Sequence, residues 1–233
     1  MKQYAFIFAR GGSKGLPRKN IKKLLGKPLI LYSIETALKV ADIDKIFIST
    51  DDDEIASIGL AAGAEVIPRP AKLAEDTSPE WLAWQHAVSW VIEKYGKFEQ
   101  FISLPATSPL RSIEDVESAI VKLNMSKADI CISTTPANRS PFFNMIKETD
   151  SAYVELVNTN AKGTVYRRQD APQVYDITTV VYVSTPNYIL NETSLFAGRV
   201  AHTIVPKERA VDIDDIYDFK LAEAILSGKG QVC

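Results

Sequence analysis

The chain has 233 residues, 46% of them hydrophobic, and its 27 Lys and Arg against 29 Asp and Glu leave a formal charge of -2. That size supports one substantial core, just below the roughly 250 residues at which single cores tend to divide. A near-balanced charge argues against a broad basic face for nucleic acid or an anionic membrane, and no apolar stretch nears the ~20 residues of a membrane span.

The first apolar run, Tyr4 to Ala9, stops at Arg10 and is too short for a secretory leader, so a cytoplasmic protein is expected. Similar apolar runs at 3–9, 45–49, 64–67, 100–104 and 129–134 alternate with segments of helical period. This alternation predicts an α/β fold with a mostly parallel sheet and helices on both faces. One helix follows Pro28, with Ile30, Ile34, Ala37, Leu38 and Ala41 as its inner stripe. The run Asp51-Asp52-Asp53-Glu54 reads as an acidic helix start, serving as cap and dipole complement. Another helix runs from Ser78-Pro79 to about Tyr95, with Trp81, Trp84, Val88 and Val91 turned to the core. From about Pro136 to Tyr175 the alternation lapses into short polar and Pro-containing segments, an inserted hairpin suited to a lid or a dimer contact. Strand character returns at Val180–Ser184 and Val200–Val205, and a helix carrying Ile216, Phe219, Ala222 and Ile225 closes the single domain, 1–233. Of the two cysteines, Cys131 lies between Ile130 and Ile132 as a small core hydrophobe, and Cys233 has no metal-site spacing to pair with.

The segment Arg10-Gly11-Gly12-Ser13-Lys14-Gly15-Leu16-Pro17-Arg18-Lys19-Asn20 opens directly from the first strand. Its glycines permit conformations closed to other residues and bring main-chain N–H groups close to an anion, while Arg10, Lys14, Arg18 and Lys19 supply charge. It has neither the dinucleotide GxGxxG nor the GxxxxGK[ST] spacing. A solvated surface loop is the plain alternative, but the carboxyl edge of an α/β sheet is where such folds bind ligands. Near the other end, Asp212 and Asp214 in Val211-Asp212-Ile213-Asp214-Asp215 share one face of an extended segment, a hard oxygen pair suited to Mg²⁺. Asp214 or Asp215 capping the last helix is the alternative, and both roles can coexist. Weaker clusters are Arg69-Pro70 with Glu75-Asp76-Thr77-Ser78, Thr107-Ser108-Pro109-Leu110-Arg111, and Tyr166-Arg167-Arg168-Gln169-Asp170-Ala171-Pro172. His86 and His202 have no metal-ligand spacing, and no Ser/His/Asp or Cys/His arrangement is evident.

In this order the clusters resemble the acylneuraminate cytidylyltransferase family, the CMP-sialate synthetases and relatives that activate sialic-acid-like nonulosonates, over nearly the whole chain. The resemblance implies a Rossmann-like fold, Mg²⁺ dependence, and transfer of CMP from CTP to a nonulosonic sugar with release of pyrophosphate. It also implies a homodimer whose insertion lends residues to the neighbouring site. Arg10, Gly11, Gly12, Ser13, Lys14, Lys19, Asn20, Arg69 and Ser78 then correspond to nucleotide ligands, with Arg10, Lys14 and Lys19 active in catalysis. Asp212 and Asp214 become catalytic metal ligands, and Pro105, Ala106, Thr107, Asn144, Arg168, Gln169 and Tyr175 fall on the sugar side. Departures concern that side: Pro105-Ala106 replaces a Gln-Pro, Thr178-Thr179 replaces Asn-Gly, and Asn144 replaces a Lys, closer to the legionaminate-type branch. An Asp-x-Asp glycosyltransferase, its metal on Asp51-Asp52-Asp53 or on Asp212 and Asp214, and a non-catalytic nucleotide-binding module are the alternatives. An acidic pair facing a basic loop disfavours the last, since a mere binder has no leaving group to steer.

Overall fold

The structure, a computed structural model, describes residues 1–150, 152–159, 165 and 167–228, with Arg168 described by its backbone alone. Tyr166 and Cys233 lie outside the described residues. The apolar runs form β1 (Gln3–Phe8), β4 (Lys45–Thr50), β5 (Glu65–Pro68), β6 (Gln100–Ser103) and β7 (Ile130–Pro136), and the later ones β10 (Tyr175–Ser184) and β11 (Val200–Ile204). They make one sheet in the order β11-β7-β10-β6-β1-β4-β5. All neighbours are parallel except β10, which runs antiparallel to both β6 and β7. Strand β10 starts five residues earlier than its apolar run, because its leading residues Tyr175, Asp176, Thr178 and Thr179 carry no continuous apolar signal. Its ladder with β7 is irregular between Ile177 and Tyr182.

Helices α1 (Leu29–Lys39), α2 (Asp53–Ala61) and α4 (Ile113–Met125) cover one face of the sheet, where Ile7, Ile48, Ile102 and Cys131 are fully buried. Helices α3 (Glu80–Tyr95) and α5 (Pro186–Asn191) cover the other, with Trp81, Trp84, Val88 and Val91 packed onto Phe6, Phe47 and Phe101. The inner stripe of α1 is narrower than the spacing predicts. Leu38 is 59% exposed and Ala41 is exposed beyond the helix end, since α1 stops at Lys39 and Val40 turns into the core instead. The last helix, α6 (Ile216–Leu226), buries Phe219 and Ala222 against Leu16, Leu24 and Leu29, while Ile216 at its first turn is exposed.

Two minor hairpins complete the fold: β2 (Lys23–Leu24) with β3 (Lys27–Pro28), and β8 (Ile146–Glu148) with β9 (Val154–Leu156). The second lies in the 136–175 stretch and pairs with no strand of the main sheet. None of the described helices is long and apolar enough to cross a membrane. At the carboxyl edge of the parallel strands, the turns after β1, β4, β6 and β7 meet the segment before α6, and the site is built there.

Candidate active site

The loop after β1 is held from below by its own chain. Asn20 is 6% exposed and donates from Nδ2 to the Arg10 carbonyl at 3.0 Å, while the Gly11 N–H donates to Asp51 Oδ1 at 3.1 Å. Asp52 caps α2 through the N–H groups of Glu54 and Ile55, and it also pairs with Arg18, as does Glu54. The acidic helix start therefore has a second use, fastening the basic loop. That loop does not rely on left-handed glycines. The one residue of the segment with positive φ is Arg18 at 56°, whereas Gly11 and Gly15 answer to close approach. A Cβ on Gly11 would lie 2.6 Å from Asp52 Oδ2, and one on Gly15 would overlap the Asp214 carbonyl oxygen; Gly12 has open space around it.

Each cation of the segment faces a carboxylate. Arg10 Nη1 donates to Asp76 Oδ1 at 2.6 Å and to the Ala74 carbonyl at 3.2 Å, and Lys14 pairs with the other Asp76 oxygen. The Lys14 and Arg10 hydrogen bonds hold the Asp76 carboxyl below the usual carboxylate range. Lys19 donates to the Ile213 carbonyl and lies 3.1 Å from Asp214 Oδ1. Residues 195 positions apart thus close one wall. Behind it opens a cavity of about 510 Å³ reached by Arg10, Ser13, Lys14, Lys19, Asn20 and Asp214.

Its inner end is lined by Phe8, Arg69, Ser78 and Glu80. Arg69 donates to the Ser49 hydroxyl at 3.1 Å and its carbonyl at 2.8 Å, with the guanidinium 5.6 Å from the centre of the Phe8 ring. Burial pushes Arg69 down, and it raises the Glu80 carboxyl, which accepts weakly from Trp84 Nε1 at 3.3 Å. Glu80 is exposed as a residue and lines the cavity. Phe8 and Glu80 escaped the sequence reading. One sits inside an apolar strand run and the other reads as a first-turn helix acid.

The acidic pair is fixed by what lies between its members. Ile213 is fully buried, and its N–H donates to the Thr107 carbonyl at 2.9 Å. Asp214 is 80% exposed on its side chain and faces the first cavity. Asp212 lines a neighbouring cavity of about 530 Å³ with Thr135, Asn138, Asp176, Thr178 and Lys207. The two carboxylates flank Ile213 but open onto adjoining spaces. Burial raises the Asp212 carboxyl, partly offset by the Thr107 and Thr179 hydroxyls and by Lys19, and Asp214 raises it further. Asp212 Oδ1 is buried with no hydrogen-bond partner. An orphaned carboxylate oxygen beside an exposed carboxylate is a donor set that suits a hard divalent cation, completed by water and phosphate oxygens. No cluster of three or more His, Cys, Asp or Glu occurs among the described residues, so protein ligands would be few. Capping of the last helix falls to Asp215, in a capping box with Asp218.

The sugar-side residues are dispersed. Pro105 and Ala106 are buried, Ala106 at 1% within the core, and the Pro105 carbonyl is taken by Ser33 and Arg111. Thr107 stands beside Asp212. Asn144 closes its own turn by accepting from the Ser140 N–H at 2.7 Å, and Gln169 lines a separate cleft with Pro136, Arg139 and Pro172. Tyr175 packs edge-on against His202, ring centres 5.0 Å apart, and His202 Nδ1 meets Thr134 Oγ1 at 2.8 Å. The Arg168 side chain lies outside the described residues. Asn144, Gln169 and Tyr175 line neither of the two central cavities.

Comparison with known proteins bears on the family and the fold. The family profile described as cytidylyltransferase matches residues 4–203. Post-translational flagellin modification protein B of Campylobacter coli is 35% identical over 96% of this chain and 94% of its own length. CMP-N,N'-diacetyllegionaminic acid synthase of Campylobacter jejuni is also 35% identical, over 96% of this chain and 94% of its own. The structure of CMP:2-keto-3-deoxy-manno-octonic acid synthetase complexed with CTP superposes with a TM-score of 0.70, at 17% identity, covering 98% of this chain and 100% of that one.

Proposed function

The chain belongs to the cytidylyltransferase family, and from that premise we propose that it transfers CMP from CTP to a nonulosonic, sialic-acid-like sugar and releases pyrophosphate. The observation that carries the reading is the contact of Lys19 with Asp214 and the Ile213 carbonyl. It joins a cationic loop to the exposed member of an acidic pair at the mouth of one cavity, with the other member at the adjoining one, an arrangement suited to a nucleoside triphosphate with its counter-cation.

In this reading the base occupies the inner end, against Phe8 and between the Arg69 donors and the Glu80 acceptor, and the triphosphate lies along Arg10, Ser13, Lys14 and Lys19. The phosphates displace Asp76 from Arg10 and Lys14. The sugar enters the adjoining cavity, where Lys207 offers a cation to its carboxylate and Asp176, Thr178 and Asn138 offer partners to its hydroxyl and amide groups. Its anomeric oxygen then approaches the α-phosphorus past Asp212, opposite the departing pyrophosphate. Catalysis is mostly positioning and charge stabilisation, with Lys19 and Arg10 accepting the charge that grows on the leaving group. Mg²⁺, held by Asp212 and Asp214, would neutralise phosphate charge. CTP as co-substrate suits a cytoplasmic enzyme. The exposed Ile146, Tyr153, Val154 and Ile177 suit a homodimer contact around the hairpin, through which Arg168 and Gln169 would reach a neighbouring site.

The test is pyrophosphate release with CTP and, in turn, neuraminate, legionaminate, pseudaminate and Kdo. Release should require both substrates, with a legionaminate-type sugar preferred, and Lys19→Met should lower it by about 10²–10³. Inactivity with all four sugars, or turnover of a preformed nucleotide sugar instead, would overturn the reading.

A further inference from the structure

Arg111 ends the turn that follows β6 and is 5% exposed. Its guanidinium donates from Nε to the Val180 carbonyl, from Nη1 to Ser33 Oγ at 2.9 Å, and from Nη2 to the carbonyls of Pro105 at 2.7 Å and Thr179 at 3.4 Å. No described carboxylate forms an ion pair with it. Asp115, a neighbouring candidate, is taken by Arg209 through two hydrogen bonds of 2.8 and 2.9 Å. Burial lowers Arg111 to about 9, so it remains charged at neutral pH. A buried cation without a counter-ion is a costly way to fill a core, and its retention calls for a reason beyond packing.

The partners of Arg111 supply that reason, because they are the segments that surround Asp212. Pro105 leads into Thr107, whose carbonyl takes the Ile213 N–H, directly beside Asp212. Thr179 is tied to the same turn through its hydroxyl, which lies 2.7 Å from Ser108 Oγ. Thr179 and Val180 fall inside the irregular stretch of β10, where the ladder to β7 is interrupted and cannot itself fix their positions. Ser33, buried in α1, donates to the Pro105 carbonyl at 3.1 Å while accepting from Arg111. One planar fork thus ties three separate pieces of chain together, a geometry that an ammonium cannot reproduce.

We propose that Arg111 is a positioning residue for the divalent-cation site, clamping the 105–108 turn against the irregular part of β10 so that the Thr107 carbonyl, which takes the Ile213 N–H, fixes Asp212 and Asp214 on either side of it. The proposal rests on the reading of Asp212 as a metal ligand. Arg111→Lys keeps the charge and removes the fork, which separates geometry from electrostatics.

The experiment measures Mn²⁺ binding to the sugar-free protein by electron paramagnetic resonance of the free ion, beside CTP binding in EDTA by calorimetry. In Arg111→Lys the Mn²⁺ dissociation constant should rise about tenfold, as loss of a second-layer partner does at metal sites, while metal-free CTP binding stays within twofold. Thr179→Val, which removes only the hydroxyl that ties β10 to Ser108 of the turn, should give the same split and covers the case in which Arg111→Lys does not fold. Equal Mn²⁺ affinity in parent and Thr179→Val, or parallel loss of Mn²⁺ and metal-free CTP binding in Arg111→Lys, overturns the proposal. Asp212→Asn serves as the control. If it binds Mn²⁺ like the parent, the metal reading fails and takes the proposal with it, whereas loss in Asp212→Asn alone defeats the clamp and leaves the metal reading standing.

Discussion

Gly15 is packed against the backbone of Asp214, so closely that a β-carbon would overlap the Asp214 carbonyl oxygen. The approach brings the basic loop onto the acidic segment, and Lys19 then fastens the two through the Ile213 carbonyl and the Asp214 carboxylate. Because the obstacle is backbone rather than a flexible side chain, it cannot swing aside. Gly15→Ala should therefore destabilise the protein by about 1–3 kcal/mol and weaken CTP binding. Thermal unfolding and CTP calorimetry check this, and unchanged affinity would show that the contact does not set the cavity.

Asp76 occupies the two cations of the proposed triphosphate site. Arg10 and Lys14 both bind it, and all three side chains are at least partly exposed. Asp76→Asn should tighten binding of inorganic pyrophosphate by about two- to fivefold at low ionic strength, with the gain shrinking in added salt. The sign is diagnostic. Weaker binding in the variant would make Asp76 a support of the loop and not an occupant to be displaced.

The pair of Asp115 and Arg209 ties α4 to the segment before Asp212, and it carries a pH signature. Burial alone would raise the Asp115 carboxyl, but the Arg209 hydrogen bonds and the Ser112 N–H more than reverse it, and the net direction is down. A carboxyl depressed in the folded state contributes stability that is full above its unfolded pKa of ~3.9 and is lost as pH falls through the folded value. Arg209→Gln should cost roughly 1–3 kcal/mol at pH 7, less than a fully buried pair because Arg209 is partly exposed. Denaturant titrations at pH 7 and near pH 3 should show the gap between parent and variant closing in acid. A constant gap would mean that the contact acts by packing alone.

Much of the architecture was legible because burial on both faces forces continuous apolar runs on parallel strands. Five such runs and the two later ones became the seven strands of the sheet. Trp81, Trp84, Val88 and Val91 fell on the buried side of α3, and Asp52 and Asp215 took the caps. Strand β10 was only half visible, since its first five residues have no continuous apolar run and Tyr175, Asp176 and Ile177 are held by Pro136, Thr135 and Thr134 of a strand remote in sequence. Arg111 was unreadable as anything but one member of a turn motif. Nothing in Pro-Leu-Arg tells whether a guanidinium will lie in water or be sealed among a strand, a turn and a helix.

By itself the sequence determined which residues could hold an anion and which a hard cation, because charge, hydroxyl and glycine content are properties of the chain at each position. Only the tertiary structure decided that residues near 10–20 and 211–215 meet, that Gly11 and Gly15 serve close approach rather than left-handed turns, and that Asp212 and Asp214 face adjoining cavities. Those are facts about distance between segments remote along the chain. Distance of that kind is set by how helices and strands pack, and local pattern carries no record of it.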